Sequence, residues 1–413
     1  MKKQNVSLDK STIKVLLLEG IDVGAKEAFR DAGFNNIECL NHALDEAALI
    51  KELKTVRLLG IRSRTQLSRR VIEACPHLVA VGCFCIGTNQ VALDAAQLAG
   101  VPVFNAPFSN TRSVAELVIG QMILLYRNVI DKNAKMHKGQ WLKSASQCHE
   151  VRGKTLGIIG YGHIGSQVSI LAESLGMSVL FYDIEHKLPL GNAKGVKALS
   201  ALLKKADIVT LHVPEDATTQ NMIDTAALSL MKKGSVLINA SRGKVVDIDA
   251  LSDALNRGHI KGAAVDVFPV EPGSNDEPFV SPLMAFDNVF LTPHIGGSTH
   301  EAQKNIAVEV ADKMIKYCDN GSTLSAVNFP ELALPMQKNV HRILHIHENK
   351  PGVMRAINRA FFDREINIEG QYLRTMGDIG YVVIDIDIDH EASKELLDQL
   401  KQIDGTIRAR VLF

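Results

Sequence analysis

The segment LGIIGYGHIG, at residues 156–165, constrains the fold more than any other part of the sequence. It places Gly160, Gly162 and Gly165 directly after an apolar strand and at the start of a helical pattern. Gly160 permits a tight turn, Gly162 lets backbone N–H groups approach an anion, and Gly165 lets helix and strand pack closely. The helix N-terminus favours negative charge. The segment therefore predicts a doubly wound parallel sheet that binds the pyrophosphate of a dinucleotide.

An acidic residue ends the next predicted strand, SVLFYD. At this position Asp183 can accept hydrogen bonds from the adenosine ribose hydroxyls, and its charge would repel a 2′-phosphate. No arginine follows it in YDIEHK, although Lys187 lies close in the sequence. We therefore predict NAD rather than NADP as the cofactor. The alternative is a structural turn built from the glycines alone.

Strand and helix patterns continue on both sides of this motif. Between residue 14 and about 107, β-rich runs such as KVLLLEG alternate with helical patterns, which predicts a second parallel sheet. NTRSVAELVIGQMILLYRNVI predicts one long helix opened by polar residues that can cap it, and STLSAVNFPELALP predicts a linker. The tail from about 338 has the βαββαβ order of ferredoxin-like domains. The 413 residues thus predict an α/β protein of three domains.

Charge and cysteine content exclude several classes of function. Lysine plus arginine, 46, equals aspartate plus glutamate, 46, and no long single-sign run predicts a nucleic-acid or membrane surface. The start MKKQNVSLDKSTIK lacks the apolar core of a signal peptide, so we expect a cytoplasmic protein. The six scattered cysteines form neither a disulfide framework nor a paired zinc pattern, and we expect reduced thiols and no metal.

Three predicted strand ends carry candidates for hydride-transfer chemistry, which needs a base for a hydroxyl proton and a cation for a carboxylate. Arg242 in NASRG has a planar fork that suits a carboxylate, although a salt bridge is the alternative. His294 in TPHIGG is a candidate base, with a core histidine as the alternative. Glu271 in DVFPVEP can accept the second ring proton of His294 and raise its pKa, although alone it would be a solvated acid.

The motifs GYGHIG, NASRG, DVFPVEP and TPHIGGST resemble the D-isomer-specific 2-hydroxyacid dehydrogenases over nearly the whole chain. The segments IRSRTQL, GCFCIGTNQV, APFSNTRSVAEL and the tail resemble the branch that oxidises 3-phosphoglycerate and carries a C-terminal ACT domain. The resemblance implies a flavodoxin-like substrate domain, 1–110 and 298–330, interrupted by an inserted doubly wound NAD domain, 111–297. Residues 331–413 would form the linker and the ACT domain.

The same resemblance implies residue roles. Arg242, Glu271 and His294 would be catalytic, with His294 as the base. Cofactor contacts would come from glycine-turn and strand-end residues: Gly160, Gly162, His163, Ile164, Gly165, Asp183, His212, Ala240, Arg242, Asp266, His294 and Gly297.

Two arginines at another strand end are candidates for binding the substrate phosphate. Arg62 and Arg64 stand two apart in LLGIRSRTQL, so both can face one way, and Ser63 and Asn110 add neutral donors. Solvated surface arginines are the alternative. Ile86-Gly87 resembles the backbone segment of the family that contacts the substrate carboxylate.

Two rival functions stay open. Members of this fold also serve as NADH-sensing transcriptional corepressors with the same catalytic residues, although paired arginines and an amino-acid-binding tail favour a pathway enzyme. A second rival keeps the enzyme but changes the substrate to a dicarboxylate such as 2-oxoglutarate, because arginines bind carboxylate as readily as phosphate.

The tail resembles the ACT domain, which pairs with a copy from another subunit and binds an amino acid. His347, Asn349 and Asn367 match the serine-binding positions of the family, so the resemblance implies feedback regulation by L-serine and a homotetramer with Trp141 in a subunit contact. His345 and His347, two apart, suggest a metal instead, and plain surface polarity is a further alternative. Lys338-Asn339 stands where the family often has a Gly-Gly hinge, which predicts a stiffer joint and weaker coupling.

Overall fold

The computed structural model describes residues 9–273, 276–335, 341–387 and 390–412. Contacts divide the chain into two compact units, a first unit of Met1–Ser109 with Gln303–Phe413 and a second unit of Asn110–Ala302. The chain therefore leaves the first unit and returns to it, as an inserted domain requires. The finer three-domain boundaries stay a prediction.

The first unit begins with a five-stranded sheet in which every strand pair is parallel. The strand order β2-β1-β3-β4-β5 is that of flavodoxin-like folds. Its strands are β1 (Lys14–Leu17), β2 (Asn36–Cys39), β3 (Leu58–Ile61), β4 (Ala80–Cys83) and β5 (Val103–Asn105). Its helices are α1 (Val23–Asp31), α2 (Glu46–Glu52), α3 (Arg69–Ala74) and α4 (Leu93–Leu98), after a 3-10 turn at Lys10–Thr12.

The second unit contains a seven-stranded parallel sheet of order β12-β11-β10-β9-β6-β7-β8. Its strands are β6 (Thr155–Ile159), β7 (Ser178–Tyr182), β8 (Lys194–Gly195), β9 (Ile208–Leu211), β10 (Ser235–Asn239), β11 (Ile260–Val265) and β12 (Val289–Leu291). Its helices are α5 (Thr111–Tyr126), α6 (Val129–His137), α7 (His163–Ser174), α8 (Leu199–Leu203), α9 (Thr225–Leu230) and α10 (Ile248–Asn256), with 3-10 turns at Gly243–Val245 and Pro282–Ala285. The strand order reverses between β6 and β9, where doubly wound sheets bind ligands.

The predicted long helix after residue 109 is wrong in two respects. It ends at Tyr126, and a second helix, α6, begins after Asn128, whose φ of 52° is left-handed. The side chain of Asn110 makes no cap bond to the first helix. No single helix among the described residues is long and apolar enough to cross a membrane, although α5 and α6, which meet at a bend of 72°, pass that test as a pair.

The tail of the chain confirms the predicted ferredoxin-like order. It consists of β13 (His341–Glu348), α12 (Val353–Phe362), β14 (Ile368–Met376), β15 (Ile379–Ile386), α13 (His390–Lys401) and β16 (Thr406–Leu412), which follow α11 (His300–Asn320). The sheet is antiparallel, with the order β14-β15-β13-β16. The helices cover one face, where Ile343, Ile357, Phe361 and Leu400 are fully buried.

The other face of this sheet packs into the core of the first unit. Leu344 and Tyr381 share one apolar cluster with Tyr317 of α11 and with Phe329. Arg342 donates to both carboxylate oxygens of the buried Asp385, at 2.6 and 2.8 Å. The effector candidates therefore stand on a sheet that is held to the rest of its unit by buried contacts. The predicted stiff joint at residues 338–339 lies outside the described residues.

STLSAVNFPELALP does not behave as a free linker. The backbone N–H of Val327 donates to the carbonyl of Val103 on β5 at 2.9 Å, and Phe329 is 2% exposed. Asn328 is buried as well. Its side chain accepts from Val103 N–H at 2.8 Å and donates to the Val101 carbonyl at 3.0 Å. The composition of this segment, with few charges and two prolines, is typical of a free linker but also of an irregular segment that packs along a sheet edge. The structure shows the packed segment.

Candidate active site

The glycine turn has the geometry of a dinucleotide site. Gly160 has a φ of 89°, and a Cβ there would lie 2.5 Å from the carbonyl oxygen of His212. A Cβ at Gly165 would lie 2.2 Å from the carbonyl oxygen of Gly160, whereas a Cβ at Gly162 would meet nothing within 4 Å. Gly160 and Gly165 are thus required by close backbone packing, and Gly162 leaves open space at the start of α7. This space fits the pyrophosphate of NAD.

His163 and Ile164 are the first two residues of α7, so their backbone N–H groups belong to the helix terminus that favours an anion. Both positions were predicted as cofactor contacts. The structure places both at the start of α7, and the cofactor contacts themselves stay a prediction.

Asp183 follows β7 and is fixed by two backbone bonds. Its carboxylate accepts from Tyr161 N–H at 2.7 Å and from Glu185 N–H at 2.9 Å. The first bond connects it directly to the glycine turn. The nearby cation, Lys187, forms an ion pair with Glu185, which also raises the pKa of Lys187. The charge that would attract a 2′-phosphate is therefore partly neutralised, which supports the preference for NAD.

His212 follows β9, beside the glycine turn. Burial lowers the pKa of His212 to about 3, so the ring is neutral at physiological pH. Its Nε2 lies 3.1 Å from Thr210 Oγ1, and its Nδ1 is buried without a hydrogen-bond partner in the described part of the chain. Ala240, at the end of the adjacent strand β10, is 9% exposed. Both predicted cofactor residues thus stand at strand ends near the switch point of the sheet.

The candidate base and its acidic neighbour are in contact. His294 Nδ1 lies 2.8 Å from Glu271 Oε2, and no hydrogen bond joins Nε2 to any described residue. The hydrogen bond to Glu271 raises the pKa of His294, whereas burial and the charge of Arg242 oppose that rise. Burial raises the pKa of Glu271, but hydrogen bonds from His294 and the Phe268 N–H outweigh it, so the pKa is lowered overall. A carboxylate beside a histidine that can accept a proton is the arrangement of a general base.

A buried carboxylate holds the segment that carries this histidine, the histidine loop, residues 292–297. Asp266 is 1% exposed and accepts from Thr292 Oγ1 at 2.6 Å, Ile295 N–H at 2.9 Å and Gly296 N–H at 2.8 Å. His294 itself has a φ of 53°, which is unusual for a residue with a side chain. Asp266 was predicted as a cofactor contact, which stays a prediction; in the structure it anchors the histidine loop.

Arg242 lies in the same unit, directly after the buried pair Ala240-Ser241. Its Nη1 donates to the Ser241 carbonyl at 2.7 Å, and it forms no ion pair within the described ranges. The next residue must be glycine, because a Cβ at Gly243 would lie 2.0 Å from the Phe268 carbonyl. The positive charge of Arg242 acts to lower the pKa of both His294 and Glu271, and the catalytic role of the three residues stays a prediction.

The candidate phosphate residues lie in the first unit, in the arginine loop, residues 62–65. The two arginines stand directly beyond a strand end, because β3 ends at Ile61, and the prediction that both face one way stays a prediction. Arg62 is half-buried, whereas Ser63 and Arg64 are exposed. Arg62 forms no ion pair with any residue that the structure describes, and Arg64 has only a 3.8 Å contact between its Nε and the carboxylate of Glu19.

Sequence reasoning missed Glu19, which fixes the arginine loop. This side chain is 3% exposed and accepts from the N–H groups of Arg62, Arg64 and Thr65 at 3.1, 2.9 and 2.9 Å. Its place at the end of KVLLLEG was the available signal, because polar residues at the carboxyl ends of parallel strands gather at sites.

Ile86-Gly87 follows β4 and is also fixed by side chains. Asn105 Nδ2 donates to the Ile86 carbonyl at 2.6 Å, and Gln90 Nε2 donates to the Gly87 carbonyl at 3.3 Å. A Cβ at Gly87 would meet nothing within 4 Å, so this backbone is accessible. The N–H groups at this turn can therefore face a carboxylate.

Asn110, grouped with the arginines as a donor to the phosphate, keeps that role as a prediction. It belongs to the second unit, where a Cβ at Gly297 would lie 2.5 Å from its Nδ2. Its Oδ1 is buried and has no hydrogen-bond partner in the described parts of the chain. The side chain thus packs against the last residue of the histidine loop.

The three effector candidates occupy different surroundings. His347, near the end of β13, is 2% exposed, and its Nδ1 is buried without a partner among the described residues. Burial lowers the pKa of His347. Asn349 is exposed and bonded to a hairpin turn, through its backbone to Asp378 and through its Nδ2 to the Gly377 carbonyl at 3.1 Å. Asn367 is exposed just before β14.

His345, the other histidine of the strand, is already engaged. Its Nε2 lies 3.0 Å from Thr406 Oγ1, and burial lowers its pKa to about 4. Its ring centroid stands 5.5 Å from that of His347. Both histidines thus have a buried Nδ1 without a partner among the described residues, a polar atom that a bound ligand could satisfy, and His345 is the one whose Nε2 already contacts Thr406.

Comparison with known proteins agrees with this geometry. The profile described as D-isomer specific 2-hydroxyacid dehydrogenase, NAD binding domain, matches residues 119–296, and the profile of the AHAS small subunit-like ACT domain matches residues 343–408. The chain is 60% identical over 408 residues to the D-3-phosphoglycerate dehydrogenases of Haemophilus influenzae and Escherichia coli strain K12, with 99% of each chain covered.

A solved structure of similar fold is that of D-lactate dehydrogenase from Aquifex aeolicus in complex with NAD and lactic acid. It is 28% identical, has a TM-score of 0.64, and is matched over 74% of this chain and 95% of its own. The identity over the full length and the two matched domains together show that the chain belongs to the D-3-phosphoglycerate dehydrogenases within the D-isomer-specific 2-hydroxyacid dehydrogenase family.

Proposed function

We propose that this protein is the NAD-dependent dehydrogenase that oxidises 3-phospho-D-glycerate to 3-phosphohydroxypyruvate, the first step of L-serine biosynthesis. The observation that carries the proposal is the 2.8 Å contact between His294 Nδ1 and Glu271 Oε2. The charge of Arg242 acts on this pair, and the same unit contains the glycine turn of a dinucleotide site. The relatives that are 60% identical over 99% of the chain support the substrate.

The proton step follows from the tautomer of His294. With Glu271 ionised, Nδ1 carries the proton of the shared hydrogen bond and Nε2 presents a lone pair. His294 Nε2 takes the proton of the substrate hydroxyl during oxidation and returns it to the carbonyl oxygen during reduction. Glu271 stabilises the imidazolium between these events. Bound NAD supplies the acceptor for the hydride.

Substrate charge is matched by separate groups. Arg242 binds the carboxylate end with a planar fork, and the Ile86-Gly87 backbone adds N–H donors. The phosphate is bound by Arg62, Ser63 and Arg64. Neither arginine forms a strong ion pair with a described residue, so the charge of both is available to a ligand.

The direct test is an assay with phosphohydroxypyruvate as substrate, in which the oxidation of NADH is measured by the loss of its absorbance. Hydroxypyruvate serves as the unphosphorylated comparison, 2-oxoglutarate tests the dicarboxylate rival, and NADPH replaces NADH in a parallel series. We expect the highest kcat/KM with phosphohydroxypyruvate and NADH. No turnover with any of these substrates, together with tight NADH binding, would favour the corepressor-like rival.

The ACT domain indicates binding of a small-molecule effector, and we propose L-serine. The buried, unpartnered Nδ1 of His347 supports a polar ligand at the end of β13. Titration of L-serine into the assay should lower activity, and His347→Ala or Asn349→Ala should raise the inhibitory concentration while kcat without serine stays near wild type. Asn358→Ala, an exposed amide on α12, is the matched control. Serine that produces no heat of binding with the intact protein would leave the tail as interface structure only.

We also propose a cytoplasmic homotetramer. Trp141 is 75% exposed and Leu142 45% exposed, which supports a subunit contact at this segment. All six cysteines are free thiols, which agrees with a reducing compartment. Light scattering of the purified protein, with Trp141→Lys as the variant, tests the assembly.

A further inference from the structure

We infer that Glu19 is a positioning residue for the substrate phosphate, acting through the arginine loop, and this inference rests on the proposed function. Glu19 lies two residues beyond the end of β1, and the arginine loop follows β3; these two strands are neighbours at the switch point of the flavodoxin-like sheet. The carboxylate accepts three hydrogen bonds from this loop, all from backbone N–H groups.

The backbone at Glu19 has an unusual conformation that the surrounding structure maintains. Glu19 has a φ of 63°, in the left-handed region that a residue with a side chain rarely adopts, and Gly20 follows with a φ of 62°. The turn is held by bonds from the N–H of Glu19 to His42 and from that of Gly20 to Leu40. Such strain persists where the surrounding structure requires it. Here the turn accompanies a Glu19 carboxylate that lies within hydrogen-bond distance of three N–H groups of the arginine loop.

The two carboxylate oxygens have different tasks. Oε1 accepts from the N–H groups of Arg62 and Thr65, whereas Oε2 accepts from Arg64 N–H and lies 3.8 Å from Arg64 Nε. The Arg62 guanidinium also donates to the Glu19 backbone carbonyl at 3.4 Å. One buried acid therefore sets the backbone of both arginines and offsets part of their mutual repulsion, while it leaves their forks unsaturated for a phosphate.

Glu19→Gln tests the role with the smallest change in shape. An amide oxygen can keep the bonds to Arg62 and Thr65, but its NH2 group must then face the N–H of Arg64, donor against donor. The loop should loosen at Arg64. We expect KM for phosphohydroxypyruvate to rise about 10- to 100-fold with kcat near wild type, as for loss of charge-assisted hydrogen bonds. KM for hydroxypyruvate should change by less than about 3-fold, because that substrate has no phosphate to position.

Two further measurements separate positioning from a general loss of structure. Hydrogen exchange of the peptide covering residues 62–65 should become faster in Glu19→Gln, with exchange at the histidine loop unchanged. In an Arg62→Ala, Arg64→Ala background, Glu19→Gln should add little to KM, because the groups through which it acts are gone. Glu73→Gln, which removes an exposed charge of the same unit, is the matched control.

The outcomes are distinct. No turnover of phosphohydroxypyruvate by the wild type contradicts the proposed function. Turnover by the wild type with an unchanged KM in Glu19→Gln contradicts this inference alone, and so does an equal loss with both substrates, which would indicate a structural role only. A full additive effect in the double-arginine background would also overturn it.

Discussion

The arginine loop and the histidine loop follow strands of two different parallel sheets, and each is held by one buried carboxylate. Glu19 accepts three backbone N–H bonds in the first, and Asp266 accepts two such bonds and one from a hydroxyl in the second. The difference lies in the functional side chains. His294 is fixed by Glu271, whereas Arg62 and Arg64 have weak contacts or none among the described charges.

This difference is the one that the two proposed roles, general base and phosphate site, require. A general base needs a defined tautomer and a tuned pKa, so its own side chain must be bonded before substrate arrives. An anion site needs available charge, so only the backbone of its cations can be fixed without loss of binding capacity. The comparison predicts different kinetic consequences when each loop is altered.

The largest effect should come from His294→Ala. Loss of the general base should lower kcat by about 10²–10⁴-fold, while NADH binding stays largely intact because the glycine turn and Asp183 are untouched. Steady-state kinetics and calorimetry with NADH measure the two quantities. His300→Ala, an exposed histidine at the start of α11, is the control. Wild-type turnover across the pH range would remove His294 from the mechanism.

A smaller and selective effect is expected from Arg62→Ala. KM for phosphohydroxypyruvate should rise about 10- to 100-fold, as expected for a charge-assisted contact to phosphate, and KM for hydroxypyruvate should rise far less. Arg70→Ala removes an exposed arginine whose side chain pairs with Glu46 and serves as the control. An equal rise for both substrates would mean that Arg62 binds no phosphate.

The smallest effect should be a shift of the pH profile in Glu271→Gln. Glu271 raises the pKa of His294, so the protonated acid needed for reduction persists to higher pH in the wild type. Removal of the charge lowers the pKa of His294, and the alkaline limb of kcat/KM for reduction should move to lower pH. The pH dependence of both enzymes with phosphohydroxypyruvate measures this shift. A limb that stays in place, or moves upward, would contradict the pairing.

Much of the fold and of the catalytic site is present in local sequence. The glycine turn is recognisable locally, because the close packing at Gly165 is against the carbonyl of Gly160 in the same strand–turn–helix segment. The βαββαβ tail is likewise determined by strand and helix patterns. The sequence therefore predicted both parallel sheets and the antiparallel tail, and of its three catalytic candidates His294 and Glu271 are in contact.

Only the tertiary structure decided what depends on distant partners. Glu19 bonds to residues 43 to 46 positions away, and no local pattern distinguishes it from any acid at a strand end. The same reason explains the packed segment around Asn328, whose side chain satisfies Val101 and Val103 more than two hundred residues earlier. Hydrogen bonds across such separations form only once the sheets have assembled, so the sequence specifies the groups while the fold selects their partners.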